Sequence, residues 1–316
     1  MDEFELIRRY FSTGTVKRTD VALGIGDDAA LLHVPVDHEL AATTDSLLPG
    51  VHFPADLTAD AVGHRALAAN LSDLAAMGAE PAWVLLALTL PEVDEAWLAG
   101  FSRGFFTLAT KHRVTLVGGN IAKGPLNITI TAQGFVPKGQ ALTRKGAQPD
   151  DLIFVTGHPG DAAAGLRLLQ SGKADMQDAC LRRFAYPEPR IEAGMALRGL
   201  ARSCIDISDG LVADLGHVLD ASGVGATILT AKLPLSKRLV QLHGMEAAVT
   251  LALTGGDDYE LLFTAPRERQ SEIERRLKGL DCPVACIGSV DAQPGLRCLE
   301  ASGYGLTLTE TGYTHF

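Results

Sequence analysis

A chain of 316 residues exceeds what one hydrophobic core usually organises, so two domains are expected. A hydrophobic content of 47% excludes extended disorder. The formal charge of −10, from 28 basic and 38 acidic residues with no long Lys/Arg run, argues against nucleic acid and anionic membranes as partners.

In chain order, residues 4–11 alternate charged and apolar side chains and suggest a short amphipathic helix, with no hydrophobic signal core. Strands are expected over Ala29–Val34 and Leu40–Thr44, the second ending on Asp45. From Thr58, a plausible N-cap, to Gly78 the pattern is helical. Leu67, Leu71 and Leu74 should face the core, and Ala66, Ala69, Asn70, Asp73, Ala76 and Met77 form a second face of mostly small side chains. Trp83–Leu90 reads as a buried strand, far too short to span a bilayer. A helix over Asp94–His112 and strands over Val114–Val117 and Asn127–Val136 follow. Pro137–Asp151, rich in Gly, Pro and polar residues, suits a domain junction. Beyond it come a strand (Leu152–Thr156), a helix to about Gln170, a helix over Pro187–Arg202, a strand (Cys204–Ile207) and a helix (Leu211–Ser222). Strands at Ala226–Thr230, Leu261–Thr264 and Val284–Ile287, with a helix over Arg267–Leu280, complete two mixed α/β domains, set at 1–137 and 138–316. The five scattered cysteines form neither a redox nor a zinc motif and fit a reducing cytosol.

Acidic residues beside glycines recur. The segments are Gly24-Ile25-Gly26-Asp27-Asp28, Thr43-Thr44-Asp45, Asn70-Leu71-Ser72-Asp73, Asp206-Ile207-Ser208-Asp209-Gly210 and Gly255-Gly256-Asp257-Asp258-Tyr259-Glu260. Any one of them is explained by turn chemistry. Most, however, follow a short strand-like run, and strand ends are where α/β proteins place ligands. Hard cations such as Mg²⁺ take a carboxylate or two each together with substrate phosphates, so gathered carboxylates point to several Mg²⁺ ions and ATP chemistry. No Gly-x-Ser-x-Gly elbow and no phosphate-binding Gly-Lys-Ser/Thr loop occurs, and the nine histidines lack metal-ligand spacing. Gly118-Gly119-Asn120 is expected as a glycine-rich loop after a strand. That stretch, like Gly157–Gly160 before a helix, fits a phosphate cradle or a plain turn equally well.

These motifs, with Val51-His52-Phe53 and the terminal Gly312-Tyr313-Thr314-His315-Phe316, resemble those of bacterial thiamine-monophosphate kinases along nearly the whole chain. The resemblance implies ATP-dependent phosphorylation of thiamine phosphate to thiamine diphosphate, in a homodimer built through N-terminal ATP- and Mg²⁺-binding domains. It implies Asp28, Thr43, Thr44, Asp45, Asp73, Asp206 and Asp209 as magnesium ligands. Gly119, Asn120, Arg144 and Ser208 fall where the family contacts ATP, and His52 and Asp257 where it contacts thiamine phosphate. Tyr313 is an aromatic that could lie over the thiamine ring, and no side chain is assigned as acid, base or nucleophile. Two departures stand out: Asp257 replaces the family's usual Glu, and Asn120 replaces its metal-binding Asp. The second keeps open a binding protein with little turnover, beside a related ATP-dependent enzyme with another acceptor.

Overall fold

The computed structural model describes residues 3–12, 14–172, 175–280, 282–300, 302–306 and 312–313. The chain divides into two compact units, Met1–Leu74 with Ala79–Gly139, and Ala75–Gly78 with Gln140–Phe316. The first unit opens with one helical turn, α1 (Glu3–Leu6), continued by a wider π-type turn over Ile7–Phe11 that buries Tyr10 and Phe11. Short strands β1 (Val21–Leu23) and β2 (Leu31–Leu32) pair with each other, so the longer strand expected over Ala29–Val34 shrinks to two residues. Next come β3 (His38–Leu47), α2 (Ala59–Ala76), β4 (Glu80–Leu90), α3 (Glu95–Lys111), β5 (Thr115–Lys123) and β6 (Asn127–Pro137). The sheet order is β3-β6-β4-β5, with β4 and β5 parallel and the other pairs antiparallel.

Local chemistry explains the helices. The Asp94 carboxylate accepts the Trp97 N–H at 3.0 Å and starts α3, while Thr58 Oγ1 receives the Ala61 N–H at 3.4 Å before α2. The sequence suggests one core-facing side for α2, yet Leu67, Leu71, Ala66 and Asn70 are all 0% exposed. A helix buried on both sides needs a partner that can come close on its small-residue face. That face continues back through Gly63, where an added Cβ would lie 2.1 Å from the Phe101 carbonyl oxygen of α3. One on Gly104 of α3 would lie 1.9 Å from the Asp60 oxygen. The small residues permit this crossing, and Asp73 lies farther along the same face.

The second unit contains β7 (Leu152–Thr156), α4 (Asp161–Gln170), α5 (Ala179–Ala185), α6 (Ile191–Leu197), β8 (Ser203–Asp206), α7 (Leu211–Ser222) and β9 (Gly225–Leu229). It ends with α8 (Lys237–Thr254), β10 (Leu261–Ala265), α9 (Gln270–Lys278), β11 (Val284–Asp291) and β12 (Gly295–Leu299). Its sheet runs β12-β9-β11-β7-β10-β8. Ile153, Val155, Ile205, Leu262 and Ile287 of the strands pack with Leu211, Leu215 and Val218 of α7 to form its core. The helix expected over Pro187–Arg202 is only α6, since Pro187 and Pro189 lack the N–H that a helix interior requires. No element was expected at α5, α8 or β12. Among the described residues no helix is long and apolar enough to cross a membrane. Two units with mixed sheets and helices agree with the α/β expectation.

Candidate active site

In the first unit, β3 and α2 bring three of the expected residues together. Successive strand side chains alternate faces, so Thr43 and Asp45 share one face of β3. Thr43 Oγ1 donates to Asp73 Oδ2 at 2.5 Å. Burial, and then the negative charge of Asp73, push the Asp45 carboxyl up to about 6. Thr44 faces the other way, its hydroxyl 2.6 Å from Thr131 Oγ1 and 3.0 Å from the Ile130 carbonyl oxygen. Asp45 is also not at a strand end as expected, because β3 continues to Leu47.

The glycine-rich segment is a strand rather than a loop. Gly118, Gly119 and Asn120 lie within β5, and Asn120 pairs with Ala87 of β4. A Cβ on Gly119 would sit 1.8 Å from the Leu86 carbonyl oxygen, so the close approach of β4 alone requires a glycine there. The strand nonetheless borders a cavity of about 870 Å³, shared by Asp28, Gly119, Asn120 and the apolar Phe11, Ile25 and Val117. Asp27 Oδ1 accepts the Asp28 N–H at 2.8 Å, the local bond of a turn residue. His52 closes its own turn: its Nδ1 accepts the Leu48 N–H at 3.0 Å, which leaves the ring proton to Nε2.

In the second unit three distant segments meet through their main chains. Asp206 is the last residue of β8 and buried. The Ile207 N–H donates to the Glu260 carbonyl at 2.8 Å, Tyr259 N–H to the Ile207 carbonyl at 2.8 Å, and Asp257 N–H to the Ser208 carbonyl at 2.9 Å. Tyr313 N–H reaches the Asp209 carbonyl at 3.0 Å. Asp206, Ser208, Asp209, Asp257 and Tyr313 are thereby gathered, whereas Arg144 stands exposed at the start of this unit. The α4 helix start, read from sequence as a phosphate cradle or a turn, is capped from within. Gly160 N–H donates to Asp258 Oδ2 at 2.7 Å and Ala162 N–H to Oδ1 at 3.3 Å.

Asp214 and His217 were not singled out from sequence. Asp214 is 2% exposed, and its Oδ2 accepts the N–H groups of Ser208, Asp209 and Gly210 at 3.1, 3.2 and 3.1 Å. Burial pushes its carboxyl up to about 7 against the pull of those amides. Ligand atoms of Asp209, Asp214 and His217 lie within 4.8 Å of one another. An acidic residue in the first turn of a helix after Ser-Asp-Gly is a capping signal that could have found Asp214. Asp214→Ala would leave three amides without their acceptor and is expected to lower stability by about 3 kcal/mol. The urea midpoint at unchanged slope measures this, and a loss under about 1 kcal/mol would mean that water replaces the carboxylate.

Residues 26–136 match the family described as AIR synthase related protein, N-terminal domain, and residues 148–299 its C-terminal domain. The thiamine-monophosphate kinase of Escherichia coli (strain K12) is 50% identical over 318 residues, covering 99% of this chain and 98% of that protein. The crystal structure of thiamine-monophosphate kinase from Stenotrophomonas maltophilia K279a is 44% identical, with a TM-score of 0.89 over 97% of this chain and 98% of its own. A further solved structure, AaThiL complexed with AMPPCP and TMP, is 33% identical with a TM-score of 0.79, covering 90% of this chain and 89% of that one. Two matched domains and full-length identity at this level leave one conclusion: the chain belongs to the thiamine-monophosphate kinase family, built on AIR synthase related domains.

Proposed function

We propose that this chain transfers the γ-phosphoryl group of ATP to thiamine phosphate, giving thiamine diphosphate and ADP. The observation that carries this reading is the 50% identity to a curated thiamine-monophosphate kinase across 99% of the chain. The residues fit the chemistry. A carboxylate that burial and a neighbouring Asp73 push up to about 6, as Asp45 is, gains from a divalent cation. The Thr44 hydroxyl, on the other face of β3, is not part of the magnesium-binding set. Magnesium would be held by Asp28, Asp45 and Asp73 with Thr43 in the first unit, and by Asp206 and Asp209 in the second. When bound, it would neutralise charge on the phosphates of two polyanions.

The chain's own part is binding and orientation. The acceptor is a phosphate monoester with second pKa near 6, mostly dianionic at neutral pH, so no side chain has to remove a proton from it. ATP is assigned to Gly119, Asn120, Arg144 and Ser208, and the cavity beside Gly119 has the volume of a small-molecule site. Thiamine phosphate is assigned to His52, Asp257 and Tyr313. His52 Nε2–H is a donor for phosphate, and the Asp257 carboxylate suits the cationic thiazolium. We place the enzyme in the cytoplasm as a homodimer formed through its first unit. Five cysteines without a redox or zinc motif fit the first, and the long edge strand β3 supports the second.

Coupled detection of ADP with and without thiamine phosphate tests the reading. ADP and thiamine diphosphate should appear in equal amounts, and ADP release indifferent to thiamine phosphate would overturn it. Asn120 offers an uncharged amide oxygen where a carboxylate would attract a cation. Asn120→Asp is therefore expected to lower the Mg²⁺ concentration for half-maximal activity by about threefold to tenfold. An unchanged Mg²⁺ titration would remove Asn120 from the cation's surroundings.

A further inference from the structure

Segment 257–260 divides its side chains between two tasks. Asp258 caps α4, and Glu260 accepts Arg190 Nε at 2.7 Å and Thr156 Oγ1 at 2.6 Å. Asp257 and Tyr259 carry positive φ angles of 67° and 50°. Few non-glycine residues adopt this region, and a bulky aromatic there is an outlier. The bonds from Asp257 N–H to Ser208 and from Tyr259 N–H to Ile207 hold the segment in place. Strain of this kind persists where the surroundings over-determine it, and it concentrates at functional sites.

The strained backbone brings the side chains of Tyr259 and Asp257 together. The ring of Tyr259 is 8% exposed, and its hydroxyl donates to Asp257 Oδ1 at 3.1 Å. A half-buried aspartate can turn between rotamers, whereas an oxygen tied to a packed aromatic ring cannot. The ordering is complete before any ligand arrives, so the ligand does not bear its entropy.

We infer that Tyr259 is a positioning residue for substrate selection: its hydroxyl fixes one oxygen of Asp257, so that the carboxylate is held ready for the cationic ring of thiamine phosphate. This rests on the kinase reading and on Asp257 as the carboxylate that meets the substrate. Tyr259 itself touches no substrate in this scheme. Its effect passes wholly through Asp257, and this separates it from a residue that merely fills the core.

The test is a double-mutant cycle of Tyr259→Phe, Asp257→Ala and the double variant, with KM and kcat for both substrates, thiamine phosphate binding by calorimetry, and melting temperature. Tyr259→Phe is expected to raise KM for thiamine phosphate about fivefold, the net scale of one ordinary hydrogen bond, with ATP KM and kcat near the parent's. Asp257→Ala should raise it further, and adding Tyr259→Phe to that variant should change nothing more. Fully additive effects overturn the proposal, as does a parental KM in Tyr259→Phe when Asp257→Ala has raised it. A parental KM in Asp257→Ala also overturns it, by removing Asp257 from the substrate. That result differs from failure of the kinase reading, in which the unaltered protein itself releases no ADP in response to thiamine phosphate.

Discussion

Glu260→Ala is expected to destabilise the protein by about 3–5 kcal/mol, the scale of breaking a buried ion pair. Glu260 is 0% exposed and bonded to Arg183, to Arg190 through Nε at 2.7 Å and Nη2 at 2.6 Å, and to Thr156. Its removal would leave two guanidiniums, each only about one-fifth exposed, without their counter-charge. The Gly157 backbone packs directly on the carboxylate, since a Cβ there would lie 2.0 Å from Glu260 Oε1. Burial alone would push the Glu260 carboxyl up; Arg183 and Arg190 more than reverse that and hold it below the ordinary 4.5. A depressed folded value means that its contribution is complete above that ordinary value and fades as pH falls through the depressed one. The parent should therefore keep its advantage over Glu260→Gln above the ordinary carboxylate value and lose it as pH falls below that value. Urea unfolding across pH measures both effects, and a Glu260→Ala loss under about 1 kcal/mol would sink the idea of an ionic hub.

The hub also shows what the sequence could and could not reveal. Glu260 sits in a motif that reads as a ligand site, and nothing local marks Arg183 or Arg190 as its partners, which lie 77 and 70 residues away. The same holds for the main-chain bonds joining Ile207–Asp209 to Asp257–Glu260 and Tyr313, since backbone bonding leaves no residue signature. Elements with their own periodicity were legible: α3, expected over Asp94–His112, and β4 with its buried apolar run. Glycines misled at β5: Gly118 and Gly119 suggested a break there, where Gly119 in fact admits a neighbouring strand. Gly244, with a φ of 76°, interrupts α8, where no element was expected. Asp45 and Asp73 were legible because each stands in a short motif, Thr43-Thr44-Asp45 and Asn70-Leu71-Ser72-Asp73. Their mutual geometry was not, since it depends on how β3 and α2 meet.

That geometry sets the largest expected effect on activity. Asp73→Asn keeps the shape of the side chain and an oxygen able to accept the Thr43 hydroxyl, which donates to Asp73 Oδ2 at 2.5 Å. Only the charge is lost. Under the proposed reading, kcat should fall at least about a hundredfold, comparable to removing one preorganised group that stabilises transition-state charge. Stability should move the other way. The Asp73 charge contributes to pushing Asp45 up to about 6, so the metal-free protein carries repulsion that the variant relieves. A gain of about 1 kcal/mol would raise Tm by about 2–4 °C in a domain of this size. Magnesium with a non-hydrolysable ATP analogue should stabilise the parent more than the variant, because a ligand stabilises only to the extent that it binds the folded state. A merely structural Asp73 predicts the reverse pattern, with lower Tm, unchanged kcat in the folded fraction and equal stabilisation by ligand. Melting curves and initial rates on the same two preparations separate these outcomes, because a residue retained for its charge alone gives opposite signs in stability and rate.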